Sequence, residues 1–90
     1  MMYSFMTLPD DTEITHSEIK NDGRIKVYIE TPDEKDAFHN AVCWLPEYEW
    51  ENISGYSQTE IEKFLKLLQN NVHLIVEFAK SGGILNATVV

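Results

Sequence analysis

The residue types that most often do chemistry in proteins are few in this sequence and poorly spaced for it. His16, His39 and His73 are its histidines, and Cys43 is its only cysteine. None of them forms the C-x-x-C or H-x-x-x-H spacing that identifies a zinc site. His39 and Cys43 share one face of a predicted strand, but the residues between them separate their side chains by about 13 Å. We therefore expect neither a metal site nor a Cys–His nucleophile pair.

The acidic side chains are numerous, but their spacing indicates no catalytic or ion-binding site. Two turn-like clusters hold many of them, namely Asp10, Asp11 and Glu13, and Asp33, Glu34 and Asp36. Neither cluster fits the oxygen-ligand spacing of a helix–loop–helix calcium loop. Glycine is scarce and forms no phosphate-binding cradle, so we predict no cofactor. The sequence thus predicts a protein that is not an enzyme.

The charge balance narrows the classes of partner. The chain has 15 acidic against 7 basic residues and a net charge of −8, which disfavours nucleic acid and anionic membranes. No apolar run reaches the roughly 18 residues of a membrane span. The stretch Met1–Leu8 is too short for a signal peptide and lacks its charge pattern. A lone cysteine fits a reducing compartment, so we predict a cytoplasmic protein.

One segment, Trp44–Tyr56, has an unusual composition, because it holds both tryptophans and alternates glutamates with aromatic residues. Aromatic side chains supply most anchor energy at interfaces, and the surrounding charge selects the partner. One hypothesis is a docking loop for a basic protein. Its residues would be Glu47, Tyr48, Glu49, Trp50, Glu51 and Tyr56. The alternative is that the aromatics cap the core and the glutamates are only solvated.

The stretch from Ser57 to Lys80 predicts one long amphipathic helix, around which the other elements must be organised. Ser57 and Glu60 have the spacing of a capping box, and Gly82 and Gly83 can end the helix. A core-facing stripe recurs at helical spacing: Ile61, Phe64, Leu65, Leu68, Val72, Ile75, Val76 and Ala79. A break at Asn70–Asn71 is the alternative, because asparagine favours caps and turns.

A second apolar stripe flanks the first on this helix. It consists of Leu67, Leu74 and Phe78, and with the core stripe it spans about half of the helix circumference. That is more than one packing face needs. The pattern indicates that another part of the chain or a second subunit covers this flank, and it predicts a homodimer.

Strand patterns precede the helix at Glu13–Lys20, Arg24–Thr31 and Ala37–Leu45. The first two form a hairpin around Asn21–Asp22–Gly23, which we predict as a three-residue loop with Gly23 in the left-handed conformation. This register pairs Lys20 with Arg24, Ile19 with Ile25, Glu18 with Lys26 and His16 with Tyr28. It buries Ile25, Val27 and Ile29.

Ala37–Leu45 is apolar on both faces, which predicts a central strand. Pro32–Asp36 is a charged turn. Residues 1–10 form a short edge strand or a flexible arm, and residues 84–90 an extra strand or a tail. The whole chain, 1–90, is thus predicted as one α+β domain. It has an antiparallel meander of three to four strands on one C-terminal helix, in the order β-β-β-α.

This order, together with the acidic surface, is loosely similar to small bacterial antitoxin-like partner domains. The similarity implies an inhibitor that masks a basic, nucleic-acid-handling protein. Our leading hypothesis is a homodimeric protein–protein interaction module. A self-assembling structural protein is the alternative, associating through Leu67, Leu74 and Phe78. A third is a ligand-binding module or enzyme, with a pocket between sheet and helix near His39 and Trp44.

Overall fold

A computed structural model describes residues 1–35 and 37–81, which form an antiparallel sheet covered on one face by a helix. The elements are β1 (Met2–Thr7), β2 (Glu13–Ser17), β3 (Ile25–Asp33), β4 (Ala37–Leu45), β5 (Glu49–Ser54) and α1 (Gln58–Lys80). The strands lie in the order β1-β2-β3-β4-β5, so each strand pairs with its neighbour in sequence. The predicted α+β meander with a C-terminal helix is therefore confirmed.

The sheet has five strands, where three to four were predicted. Met1–Leu8 supplies the edge strand β1, one of the two predicted alternatives. The other addition is β5, which lies in the segment that was predicted as a docking loop or as a loop capping the core. It pairs along β4, with Trp50 opposite Cys43 and Glu49 opposite Trp44. Pairing satisfies backbone groups that a buried strand such as β4 cannot leave open. The predicted final segment, residues 84–90, lies outside the described residues.

The β2–β3 hairpin has the predicted loop but a different strand register. Lys20 N–H donates to the carbonyl of Arg24 at 2.8 Å, and Gly23 has a φ of +83°. Beyond the loop, however, His16 pairs with Val27, so the predicted pairing of His16 with Tyr28 is wrong. Since Lys20 still meets Arg24, the β2 side holds one extra residue between these two pairs. Strand β2 consequently ends at Ser17, before the predicted Lys20.

The side chain of Ser17 explains how this extra residue is accommodated. Its hydroxyl accepts a 3.0 Å hydrogen bond from the Lys26 N–H and donates to the Glu18 carbonyl at 2.7 Å. The Ser17 hydroxyl thus takes the place that a backbone carbonyl would have as the acceptor for the Lys26 N–H. Glu18 pairs with Lys20 at 3.3 Å and not with Lys26 as predicted. Because a shift of one residue reverses the faces, His16 is buried on the side facing the helix.

Helix α1 is continuous from Gln58 to Lys80, so the predicted alternative of a break at Asn70–Asn71 is wrong. The capping box is confirmed: Glu60 N–H donates to Ser57 Oγ at 3.2 Å, and Ser57 N–H donates to Glu60 Oε1 at 2.8 Å. Asn71 fits within the helix because its side-chain amide donates to the Leu67 carbonyl at 2.8 Å. The predicted helix end at Gly82 and Gly83 lies outside the described residues.

The core lies between α1 and the inner face of the sheet, which we define as the face toward the helix. The sheet contributes Ile14, Ile25, Val27, Ile29, Cys43 and Leu45, and the helix contributes Leu68, Ile75 and Ala79. Ile25, Val27 and Ile29 are buried as predicted. Of the predicted core stripe, Leu65 is the exception, since it lies on the helix surface beside Thr59 and Glu62. The opposite face of the sheet carries the candidate site.

Candidate partner-binding surface

The outer face, defined as the side of the sheet opposite α1, is assembled from residues of all five strands. Paired residues in an antiparallel sheet point to the same side, so the register identifies its members. On β2 to β5 they include Glu13, Thr15, Lys26, Tyr28, Glu30, Val42, Trp44, Glu49 and Glu51. Within residues 1–35 and 37–81, no element packs over this face. It therefore presents aromatic and acidic side chains together.

Trp44 lies near the end of β4 and is held from two sides. Its indole N–H donates a 2.8 Å hydrogen bond to Glu51 Oε1 on β5. The guanidinium carbon of Arg24 lies 4.7 Å from its ring centroid, a cation–π distance. The tryptophan is thus oriented by groups of both signs and remains half-buried.

Arg24 is also bound by two carboxylates. Its Nη2 donates to Glu49 Oε1 at 2.6 Å and its Nε to Glu47 Oε1 at 3.2 Å. Desolvation acts to lower the pKa of Arg24, but the two glutamates outweigh it and raise that pKa. The arrangement shows that this end of the outer face can hold a guanidinium between an aromatic ring and carboxylates.

A second acidic group lies at the other end of the outer face, where Glu13 and Glu30 are directly opposite each other. Like charges at opposed positions of neighbouring strands are destabilising. The Tyr28 hydroxyl donates to Glu30 at 2.9 Å. Desolvation, and then this hydrogen bond, raise the pKa of Tyr28. The sheet therefore keeps an unfavourable acidic pair beside the half-buried ring of Tyr28.

The predicted docking residues divide between the two faces. Glu49–Ser54 is extended as strand β5, where Trp50 points to the inner face and Glu49 and Glu51 point to the outer face. Glu47 and Tyr48 lie in the turn before this strand. Tyr48, Trp50 and Tyr56 are half-buried and pack against the core cluster. Glu47, Glu49 and Glu51 are exposed. The aromatic residues thus pack on the core, as the alternative hypothesis stated, and partner binding through this segment stays a prediction.

Tyr56 shows how these aromatics are used internally. Its hydroxyl lies 2.7 Å from the Thr31 hydroxyl and donates to the His39 carbonyl at 3.3 Å. Its ring packs against Phe64 at a centroid distance of 5.0 Å. Desolvation raises the pKa of Tyr56 although the Thr31 hydrogen bond lowers it. Tyr56 therefore ties the start of the helix to β3 and β4.

The predicted self-association residues are also divided. Leu67 packs against the core cluster, and the Phe78 ring lies 5.8 Å from Phe5 and 6.5 Å from His16. Leu74 is 40% exposed. The chain itself thus partly covers the flank at its two ends and leaves its middle open.

The histidines and the cysteine do not come together. His16 is buried among the rings of Tyr3, Phe5 and Phe78, and Cys43 is buried in β4. Burial raises the pKa of the Cys43 thiol to about 12, which disfavours the nucleophilic thiolate. Among residues 1–35 and 37–81, no three His, Cys, Asp or Glu side chains group as a metal site requires.

A cleft of about 240 Å³ lies between α1 and the segment after β1, lined by Leu8, Asp10, Glu60, Lys63, Phe64 and Leu67. Ligand pockets in proteins are generally larger, from about 300 Å³ upward. The pocket predicted between sheet and helix near His39 and Trp44 does not match this position. Trp44 points to the outer face and therefore does not line the space under the helix.

Sequence reasoning did not predict that Glu13, Tyr28, Glu30 and Trp44 lie together on the outer face. Strand alternation contained the signal, since Tyr28 and Glu30 alternate with Val27 and Ile29, which were predicted to be buried. The pairing of Glu13 with Glu30 depends on the register beyond Ser17, which the pattern did not predict.

No protein-family model, curated protein or solved structure matches the chain. In the part of the chain that the structure describes, no helix combines the length and the apolar character needed to cross a membrane. The geometry of the outer face is therefore the basis for a functional proposal.

Proposed function

We propose that this protein is a non-enzymatic cytoplasmic interaction module, which binds a basic segment of another protein through the outer face of its sheet. The observation that carries this proposal is the acidic and aromatic composition of that face. It includes the directly opposed pair Glu13 and Glu30. A pair that destabilises the free sheet becomes favourable when a lysine or arginine lies between its carboxylates.

The aromatic residues of this face supply the apolar part of the contact. Trp44 and Tyr28 are half-buried, and both are residue types enriched among the energetic anchors of interfaces. The contact of Arg24 with Trp44, Glu47 and Glu49 is an internal example of the chemistry proposed for the partner. Arg24 pairs with Glu47 and Glu49 and does not neutralise Glu51, Glu30 and Glu13. A partner arginine would meet these three carboxylates.

The net charge of −8 supports a partner of opposite charge, because it steers association and repels acidic competitors. One specific form is an inhibitor that covers the basic surface of a nucleic-acid-handling protein. In that form, the outer face competes with phosphate groups for the same lysines and arginines.

The test is affinity capture from the native host lysate with matched charge variants. The first variant carries Glu30→Gln and Glu51→Gln on the outer face. The control carries Glu62→Gln and Glu77→Gln on the exposed side of α1, which is the same change in net charge. A basic protein retained by the wild type and by the control, lost with the outer-face variant and released by salt, supports the proposal.

Trp44→Leu separates the aromatic contribution from the charge. It should reduce retention while circular dichroism and the unfolding midpoint show that the domain remains folded. Equal capture by the wild type and the outer-face variants would remove the outer face from consideration. If the helix control lost the captured protein as completely as the outer-face variant, the effect would be one of general charge. That result would also contradict the proposal.

A further inference from the structure

Strand β1 forms one edge of the sheet, and its chemistry differs from that of the other edge. The residues from Met2 to Thr7 include no charged side chain, in a protein with a net charge of −8. At the opposite edge, β5 carries the exposed Glu49 and Glu51. Natural proteins protect edge strands with charges, and only the β5 edge has this protection.

The open part of the second helix stripe lies on the same side of the molecule as β1. Phe78 is in ring contact with Phe5 of β1, and Leu67 lines a cleft with Leu8. Leu74 follows Leu67 by about two helical turns and precedes Phe78 by about one turn, so it lies between them on this side of the helix. It is 40% exposed. The uncharged strand β1 and the exposed leucine therefore lie on the same side of the molecule, next to the contact between Phe5 and Phe78.

We propose that this surface binds a second copy of the chain, with the two β1 strands antiparallel across a two-fold axis. Charge favours a second copy of the chain as the occupant of this surface. Two copies of an acidic protein repel each other wherever acidic residues meet, and strand β1 itself brings no acidic residue to such a contact. A basic partner would gain nothing from it.

The geometry of the sheet fits this arrangement. Strand β2 is the strand that α1 approaches most closely, so the two helices would lie about three strand spacings apart, or about 14 Å. This is wider than the 8–10 Å of directly packed helices, and the side chains of Leu74 and Phe78 would fill the difference. A two-fold arrangement is self-complementary and closed, so it gives a dimer and not a fibre.

The bulge at Phe5 determines which part of β1 pairs. The register between β1 and β2 shifts between Ser4 and Met6, so Phe5 has no partner on β2, and Phe5 and Met6 both face the helix. The shared ladder therefore runs through Met2–Ser4 of each copy. Such a short ladder is not sufficient by itself, and the Leu74 flank supplies the apolar part of the interface. The two outer faces then lie side by side on one sheet surface.

Analytical ultracentrifugation from micromolar to near-millimolar protein tests the proposal. We expect a monomer–dimer equilibrium in the wild type. Leu74→Glu and Ser4→Glu should each raise the dissociation constant at least about tenfold, the effect of losing about 1.4 kcal/mol. The control is Ile53→Glu on the opposite edge, where the side chain is 45% exposed and thus comparable to Leu74.

Hydrogen exchange of the β1 amides gives a second readout that needs no mutation. In the wild type, their protection should rise with protein concentration, while that of the β5 amides should not. The proposal would be overturned if the wild type stayed monomeric throughout. It would also be overturned if Ile53→Glu disrupted the dimer and the other two variants did not. Exchange of the β1 amides that does not depend on concentration would overturn it as well.

Discussion

Glu13 and Glu30 occupy directly opposed positions on β2 and β3, at the outer face of the sheet. Opposed like charges repel, and the Tyr28 hydroxyl contacts Glu30 alone. The variant Glu13→Lys should therefore stabilise the free protein by about 0.5 kcal/mol at low salt. Urea denaturation in low and high salt measures this gain, which should shrink as salt screens the charges. A variant that is less stable than the wild type at low salt would show that the pair is not repulsive.

Ser17 makes the hydrogen bond that permits the observed register of β2 and β3. Ser17→Ala removes the acceptor of the Lys26 N–H, and should lower the free energy of unfolding by about 1–2 kcal/mol. Ser4→Ala, at an exposed position on β1, is the matched control and should change stability little. Chemical denaturation compares the two variants. Equal effects would mean that the Ser17 hydroxyl does not support the register.

Phe78 and Leu74 belong to the same helix stripe but have different surroundings. Phe78→Ala removes ring contacts with Phe5 and His16, and should cost about 2 kcal/mol of monomer stability. Leu74→Ala should cost less than about 1 kcal/mol, because Leu74 is 40% exposed. Thermal and urea unfolding at low protein concentration keep association out of the measurement. A larger loss for Leu74→Ala would place that side chain in the monomer's core.

Cys43 makes stability depend on pH in the alkaline range. Burial raises the pKa of its thiol from 9.0 to about 12 in the folded protein. The unfolded chain therefore loses its proton first, and the free energy of unfolding should fall as pH rises between these values. The slope for one thiol is at most about 1.4 kcal/mol per pH unit.

The variant Cys43→Ala removes the contribution of the thiol while the three tyrosines stay in place. Burial also raises the pKa values of Tyr28, Tyr48 and Tyr56, so they act in the same direction. The free energy of unfolding is measured for the wild type and the variant at a series of pH values from neutral to alkaline. The two curves should run parallel at lower pH, and above pH 9.0 the wild-type curve should fall more steeply. Curves that stay parallel throughout would contradict a thiol held protonated by burial.

The hairpin shows where sequence reasoning reached its limit. Its loop was predicted, because Asn21–Asp22–Gly23 carries local turn chemistry and Gly23 adopts the left-handed conformation. The register beyond the loop was not predicted, since it depends on a side-chain hydrogen bond from Lys26 N–H to Ser17. A single extra residue in β2 then moved His16 from the outer face into the core.

The segment from Glu47 to Tyr56 shows the same limit for the candidate site. Alternation of glutamates and aromatics was visible in the sequence, and it correctly separated two faces once the chain was extended. Which face points to the core depends on pairing with β4, where Trp50 lies opposite Cys43. Non-local pairing of this kind leaves no signal within the segment itself.

The sequence by itself determined the helix with its capping box, the loop of the hairpin and the acidic charge. Each depends on neighbouring residues or on composition, which a linear reading contains. Only the tertiary structure decided that β5 joins the sheet, that Tyr48, Trp50 and Tyr56 turn inward, and that Glu13 meets Glu30. These depend on the register between strands, which is set by the packing of the whole sheet against α1.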